Sequence, residues 1–180
     1  MSILLDEDFT FIVQGITGRE AVNLTRECLD YGAGAKIVAG VTPGRKGREV
    51  HGVPVFDTVE QAVEHHGGPI DGSVVTVPPA FTEDAVFEAI QHGVKLVVVV
   101  TERIPRFDVA EMVEFAGLMD ARIIGPNCLG LIVPAWPNVM PFISSSSMNL
   151  PAMNATIGRR ESVSATHSAS SASIRPPGSV

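Results

Sequence analysis

The sequence has few of the features that mark secreted, disulfide-bonded or membrane-spanning proteins. Its 180 residues include two cysteines, Cys28 and Cys128, which form neither a disulfide framework nor the paired spacing of a zinc site. The longest apolar run, Leu96 to Val100, is far shorter than the roughly 20 residues of a transmembrane helix. The first residues, MSILLDEDFT, lack the basic and apolar segments of a secretory signal. We therefore expect a cytoplasmic protein with no membrane partner.

Basic residues and catalytic motifs are also scarce. The chain has 13 Lys and Arg against 20 Asp and Glu, a net charge of -7 that argues against a general nucleic-acid partner. None of the five histidines has metal-ligand spacing, so we expect no metal site. A Walker lysine loop and a Gly-x-Ser-x-Gly elbow are missing as well. Hydrophobic residues make up 45% of the chain, which is enough to form a sizeable buried core.

The distribution of serine divides the chain. The first 143 residues contain two serines and the last 37 contain eleven. This tail has a single acidic residue, Glu161, and no sustained apolar period, which is typical of disorder. We predict a folded domain over residues 1–140 and a serine-rich, disordered tail over residues 141–180.

The folded part alternates strand-like and helix-like segments, which predicts an α/β, doubly wound, Rossmann-like parallel sheet. The strand candidates are continuous apolar runs, as expected for strands buried on both faces. These candidates are Phe9–Gln14, Lys36–Val41, Val53–Phe56, Gly72–Val77, Lys95–Val100 and Arg122–Ile124. The predicted helices are Arg19–Tyr31, with Gly32 as its C-cap, Val59–His65, Glu83–Gln91 and Val109–Leu118.

A glycine turn follows the first predicted strand. The stretch FTFIVQGITGREA passes from apolar residues through Gly15 and Gly18 into a helix that starts at Arg19. Glycines let a backbone approach a diphosphate closely, and the N–H groups of a helix start favour its negative charge. The spacing differs from the Gly-x-Gly-x-x-Gly of dinucleotide folds, and a ligand-free βα turn would also fit.

A basic loop follows the second predicted strand. An NAD site needs an acidic residue there for the ribose hydroxyls, but this sequence has Arg45, Lys46 and Arg48 on a Pro-Gly loop. Cations at this position suit a phosphorylated ribose, either the 3′-phosphate of coenzyme A or the 2′-phosphate of NADP. A solvated basic turn is the alternative.

Further candidate site residues lie at the ends of the later strands. The strand ends are Val77-Pro78, Val100-Thr101-Glu102 and the loop that contains Asn127 and Cys128. In a parallel sheet, these ends gather on one edge with the glycine turn. A base that could activate Cys128 is not evident, and we expect no catalytic residue in the chain.

At this point the motifs resemble one family, the α subunits of succinyl-CoA synthetase (succinate–CoA ligase), and specifically their N-terminal CoA-binding domain. The matching motifs are MSILLD, QGITGRE, GVTPGRKG, GVPVFDTVEQAV, VPPAFTEDAVFEAI, TERIP and RIIGPNCLGLIVP, in this order over about residues 1–135. The resemblance implies a Rossmann-like domain that holds coenzyme A and works with an ATP-grasp-like β subunit.

The resemblance also implies roles for individual residues. In the family pattern, the CoA-phosphate turn corresponds to Thr17, Gly18, Arg19 and Glu20, and a CoA-binding lysine corresponds to Arg45, with Lys46 beside it. A second CoA contact corresponds to Val100, Thr101 and Glu102. The loop near the pantetheine thiol corresponds to Asn127 and Cys128.

The departures from the family pattern concern the acid substrate and the catalytic half. Leu129 replaces the proline that the succinyl enzymes usually have, and no histidine lies in the Gly-His-Ala-Gly setting of their phosphohistidine. We therefore expect an NDP-forming acid–CoA ligase domain that is incomplete alone, either a truncated or frame-shifted α subunit or a fragment with a foreign tail. The alternatives are a CoA-responsive binding module without catalysis and an NADP-binding oxidoreductase domain.

Overall fold

The computed structural model describes residues 8–31 and 36–131 of the chain. Within these residues lie seven strands and four helices. The strands are β1 Thr10–Gln14, β2 Lys36–Val41, β3 Glu49–Val50, β4 Val53–Phe56, β5 Gly72–Val75, β6 Leu96–Val99 and β7 Arg122–Ile124; the helices are α1 Arg19–Tyr31, α2 Val59–His66, α3 Thr82–Gln91 and α4 Arg106–Leu118. The expected disordered tail and the predicted C-cap at Gly32 lie outside the described residues.

All seven strands belong to one sheet in the order β3-β4-β2-β1-β5-β6-β7. The pairs from β4 to β7 are parallel, and only β3 runs antiparallel to its neighbour β4. Strands β2, β4 and β3 extend the sheet on one side of β1, and β5, β6 and β7 then extend it on the other side. The predicted doubly wound, Rossmann-like sheet is therefore confirmed, and its switch point lies between β1 and β5.

Helices cover both faces of the sheet. One face packs against α1, where Ala21 and Cys28 join Phe11, Val13 and strand residues from β2, β4, β5 and β6 in one buried cluster. The other face packs against α2, α3 and α4 through two further clusters. Every residue of β6 is buried, which explains why this strand reads as an uninterrupted apolar run.

Several boundaries differ from the predicted ones. The third element of the sheet, β3, was not predicted, because its two residues are too few to show a pattern. Strand β5 ends at Val75, two residues before the predicted end, although the Thr76 amide still donates to the Gln14 carbonyl of β1 at 3.0 Å. A single 3₁₀ turn, Pro79–Phe81, precedes α3. Helix α4 begins at Arg106, directly after Pro105, because proline suits a helix entry better than its interior.

The described residues contain no helix that is both long and apolar enough to cross a membrane.

Candidate functional site

A cleft of about 750 Å³ opens at the carboxyl ends of β1, β2 and β5. It lies beside the switch point, where ligands of doubly wound sheets bind. Its volume is within the range of small-molecule and cofactor sites. The cleft is lined by Gln14, Gly15, Thr17–Ala21, Val41–Pro43, Thr76–Pro78, Phe81, Asp84, Ala85 and Glu88.

The glycine turn forms one wall of this cleft. Gly15 has φ +82°, and a Cβ there would lie 3.0 Å from the Thr76 hydroxyl oxygen. The Gly18 amide donates to the Gly15 carbonyl at 2.9 Å, and the Val22 amide donates to the Gly18 carbonyl at 2.9 Å. The turn therefore delivers the chain directly into α1. The amides of the first helical turn lack acceptors within the helix, so they are available to an anion.

The side chains of this turn have opposite charges. Arg19 and Glu20 both line the cleft and are both exposed. A phosphate can approach the Arg19 guanidinium, but it can gain from Glu20 only through the backbone amide, because the carboxylate repels it. Thr17 donates its hydroxyl to the Thr42 hydroxyl at 3.3 Å, which joins the turn to the end of β2.

Buried polar groups fix the floor of the cleft. Gln14 is 2% exposed, and its side-chain amide donates to the Ala85 carbonyl of α3 at 3.0 Å. The Thr76 hydroxyl donates to the Gln14 carbonyl at 2.7 Å. These bonds join the ends of β1 and β5 to the first turn of α3, so the glycine turn and α3 are held in a fixed relation across the cleft.

The basic loop leaves the cleft at Thr42 and Pro43. The amides of Arg45 and Lys46 both donate to Asp57 Oδ1, at 2.9 and 3.0 Å. Both side chains are exposed, and neither forms an ion pair with another of the described residues. Within the part of the chain that the structure describes, these two cations therefore have no carboxylate at ion-pairing distance.

A second group of predicted residues adjoins the cleft on the β6 side. The Thr101 hydroxyl donates to the Val77 carbonyl at 2.7 Å, and the Asn127 amide donates to the Thr101 carbonyl at 3.0 Å. The loop after β7 is thereby held against the ends of β5 and β6. Glu102 is exposed and lies 3.7 Å from the exposed Arg103 guanidinium.

Cys128 is a half-buried thiol rather than an activated one. Its Sγ donates to the Val99 carbonyl at 3.2 Å, and burial raises the pKa of this thiol above its ordinary value. A raised pKa keeps the group protonated at neutral pH, and only the thiolate is a strong nucleophile. The geometry supports a packing role for Cys128.

The structure divides the predicted site residues into three neighbouring groups. Thr17 to Glu20, Val77 and Pro78 line the cleft itself. Arg45 and Lys46 lie beyond its β2 end, whereas Val100 to Glu102, Asn127 and Cys128 lie beyond its β5 end. The bond from Thr101 to Val77 connects the third group to the cleft, and the Arg45 amide, which donates to the Thr42 carbonyl at 3.1 Å, connects the basic loop to it.

Sequence reasoning missed part of the lining. One side of the cleft is formed by Phe81, which is 61% exposed and ends the 3₁₀ turn, and by Asp84 and Glu88 of α3. The four-residue spacing of Asp84 and Glu88 was a usable signal, because it places them on one face of α3. Glu88 also accepts the Val59 amide at 2.7 Å, which joins α3 to the start of α2.

Across residues 8–31 and 36–131, no three His, Cys, Asp or Glu side chains are grouped so that they could hold a metal ion.

Comparison with known proteins identifies a family whose members resemble this chain. The model of the family described as "CoA binding domain" matches residues 6–103. An α subunit of ADP-forming succinate–CoA ligase from Archaeoglobus fulgidus is 47% identical over 136 residues, which are 74% of this chain and 45% of that protein. The corresponding subunit from Methanothermobacter thermautotrophicus is 46% identical over 132 residues, 73% of this chain and 43% of that protein. The chain spans less than half the length of these relatives.

Solved structures agree on the fold. ATP citrate lyase from Methanothrix soehngenii, in complex with citrate and coenzyme A, aligns with a TM-score of 0.67 at 17% identity, over 87% of this chain and 26% of that one. A dinucleotide-forming acetyl-coenzyme A synthetase from Ca. Korarchaeum cryptofilum aligns with a TM-score of 0.60 at 21% identity, over 78% of this chain and 30% of that one. At these identities the structural likeness shows the fold alone.

The family model covers the glycine turn, the basic loop and the ends of β5 and β6, and it spans more than half of the chain. The chain belongs to the CoA-binding domain family and is similar to the α subunits of succinate–CoA ligase.

Proposed function

We propose that this chain holds coenzyme A along the carboxyl edge of its sheet, as the CoA-binding part of an NDP-forming acid–CoA ligase. The observation that carries the proposal is the cleft at the switch point, with the first turn of α1 on one side. Beyond its β2 end lie two exposed cations that form no ion pair with any other residue in the ranges 8–31 and 36–131. Amides of a helix start and Arg or Lys side chains are the groups that bind phosphates.

In this proposal, each group along the edge meets a different part of the ligand. The diphosphate lies at Thr17 to Glu20, where the amides of α1 begin. The 3′-phosphate lies beside Arg45 and Lys46. The pantetheine arm runs past Val77 and Pro78 toward Val100 to Glu102, and its thiol end lies near Asn127 and Cys128. The chain contributes positioning of the thiol rather than proton transfer.

The complete reaction requires groups that the described residues do not supply. In the proposed assembly, an ATP-grasp-like β subunit binds the nucleotide, and a phosphohistidine segment passes the phosphate to the acid. The thiol of bound coenzyme A then displaces phosphate from the acyl phosphate to give acyl-CoA. The named relatives are subunits of ligases, which supports this assignment, and a cytoplasmic location belongs to the same proposal.

Calorimetric titration of the purified chain with CoA, dephospho-CoA and NADPH tests the proposal. We expect CoA to bind more tightly than dephospho-CoA and NADPH to bind weakly. The double substitution of Arg45→Glu and Lys46→Glu should weaken CoA by about tenfold or more and dephospho-CoA by less, since hydrogen bonds to charged groups contribute about 1.5–3 kcal/mol. Equal losses for both ligands would show that the loop does not contact the 3′-phosphate.

The same titration separates the competing functions. Preferential NADPH binding would favour an oxidoreductase domain and overturn the proposal. CoA binding by a chain that never co-purifies with a β subunit would favour a CoA-responsive module without catalysis.

A further inference from the structure

The carboxylate of Asp57 is bonded to the backbone of the basic loop. Asp57 follows the last residue of β4 and precedes Thr58, the N-cap of α2. One of its oxygens, Oδ1, accepts hydrogen bonds from two consecutive amides, Arg45 at 2.9 Å and Lys46 at 3.0 Å. Consecutive amides that point at one place form an anion-binding concavity. Here the concavity is filled by a carboxylate of the same chain.

The rest of the basic loop is fixed by its backbone. At one end the Thr42 amide donates to the Phe56 carbonyl at 2.8 Å, and at the other the Gly47 amide donates to the Val55 carbonyl at 3.1 Å. Between these anchors, the Arg45 amide donates to the Thr42 carbonyl at 3.1 Å as well as to Asp57, whereas the Lys46 amide donates to Asp57. The carboxylate therefore fixes the centre of the loop, where the two cationic side chains originate.

We propose that Asp57 is a positioning residue that gives the basic loop its selectivity for a phosphorylated ribose. This inference rests on the proposed function. Arg45 and Lys46 have long side chains, so ordering them around a phosphate costs conformational entropy, and a fixed backbone lowers that cost. Because Asp57 already accepts from the amides of Arg45 and Lys46, the phosphate meets the side-chain cations of these residues and not their amides.

Two substitutions of Asp57 separate the effect of its hydrogen bonds from the effect of its negative charge. Asp57→Asn keeps an oxygen acceptor for the two amides but removes the negative charge beside the phosphate. Asp57→Ala removes both the acceptor and the charge. If the carboxylate acts by positioning, the asparagine variant keeps the selectivity of the wild type and the alanine variant loses it.

The experiment measures the ratio of dephospho-CoA to CoA dissociation constants for the full chain by calorimetry. We expect a ratio of about ten or more for the wild type and for Asp57→Asn, falling to about threefold or less for Asp57→Ala. Glu60→Ala is the matched control, because it removes one exposed carboxylate from the first turn of α2. Its ratio should equal that of the wild type.

Two results would overturn the role of Asp57. One is an Asp57→Ala variant whose ratio of dissociation constants equals that of the wild type. The other is an Asp57→Asn variant whose ratio falls as far as that of Asp57→Ala, which would mean that the charge of Asp57 and not its position matters. An absence of CoA binding by the wild type would instead overturn the proposed function, so the two failures are distinguishable.

A second measurement applies even if Asp57→Ala does not fold. Hydrogen exchange in the wild-type protein, followed by NMR, should be slow at the Lys46 amide and fast at the Gly44 amide, although both residues are exposed. Equal exchange rates at these two amides would show that the carboxylate does not hold the loop, and the proposal would be wrong.

Discussion

Replacing Gly18 by alanine tests whether the glycine turn is a phosphate site or only a tight connection. Gly18 lies at the entrance to α1 and lines the cleft. A Cβ at this position would lie 3.2 Å from the Gly15 carbonyl oxygen, and the backbone there does not have a positive φ. The methyl group therefore requires a shift of a few tenths of an ångström, not a new conformation.

The expected change in stability is small. Removing a glycine restricts the unfolded chain, which stabilises the fold by about 0.4–1 kcal/mol where the native conformation is accessible. Crowding against the Gly15 carbonyl opposes this gain. We therefore expect the free energy of unfolding of Gly18→Ala to stay within about 1 kcal/mol of the wild type.

The expected change in affinity is large. In the proposed complex, the phosphate approaches the amides of the first helical turn, and the methyl group at residue 18 crowds that approach. Losing one hydrogen bond to a charged group costs about 1.5–3 kcal/mol, which corresponds to roughly a 10- to 150-fold weaker complex. Calorimetric titration with CoA, together with chemical unfolding of the same sample, measures both quantities.

Gly67→Ala is the matched control. Gly67 is the C-cap of α2 with φ +76°, and a Cβ there meets no atom within 4 Å. Its replacement should cost about 1 kcal/mol of stability through the left-handed backbone and leave CoA affinity unchanged. Wild-type CoA affinity in Gly18→Ala would refute the phosphate assignment of the turn.

Two further predictions concern charge. Glu20→Gln removes an exposed carboxylate from the phosphate end of the cleft, so CoA affinity should rise about two- to fivefold at low salt and less at high salt; a loss would mean that the side chain contacts the ligand favourably. Burial, with a smaller contribution from the charge of Glu27, raises the pKa of the Cys28 thiol from 9.0 to about 12. Between these two pH values the thiol keeps its proton in the folded state and loses it in the unfolded state. The free energy of unfolding should therefore fall as pH rises from about 9 toward 12, by at most about 1.4 kcal/mol per pH unit, and urea unfolding of Cys28→Ala should lack this component.

The sequence predicted the central sheet well because burial on both faces leaves a local trace. The run that became β6 is uninterrupted, and the glycines at positions 15 and 18 mark the turn into α1. The short strand β3 left no such trace. It exists because the turn at His51 and Gly52, both with positive φ, folds two residues back onto β4.

The parts of the site that escaped prediction are tertiary. Nothing in the spacing of Asp57 indicates that its carboxylate reaches two amides eleven and twelve residues earlier. Gln14 reads as an ordinary strand end, yet it is buried and bonds to α3, 71 residues away. Such contacts depend on which strands become neighbours, and the sequence pattern does not specify this at the level of single side chains.

The order of the strands imposes an order on the proposed ligand contacts. The carboxyl ends of β2, β1, β5, β6 and β7 follow one another along the edge, and four strand spacings span about 19 Å. Hydrogen bonds join these ends in sequence, from Gly15 to Val41, from Thr76 to Gln14, from Thr101 to Val77 and from Asn127 to Thr101. With cations at the β2 end and the half-buried Cys128 near the β7 end, such an edge suits a phosphorylated nucleotide that carries a long arm. A compact nucleotide would fill the cleft and leave the loops after β6 and β7 without a role in binding. Substitutions at Asn127 distinguish a compact nucleotide from coenzyme A, because they should weaken the binding of CoA but not the binding of its nucleotide half alone.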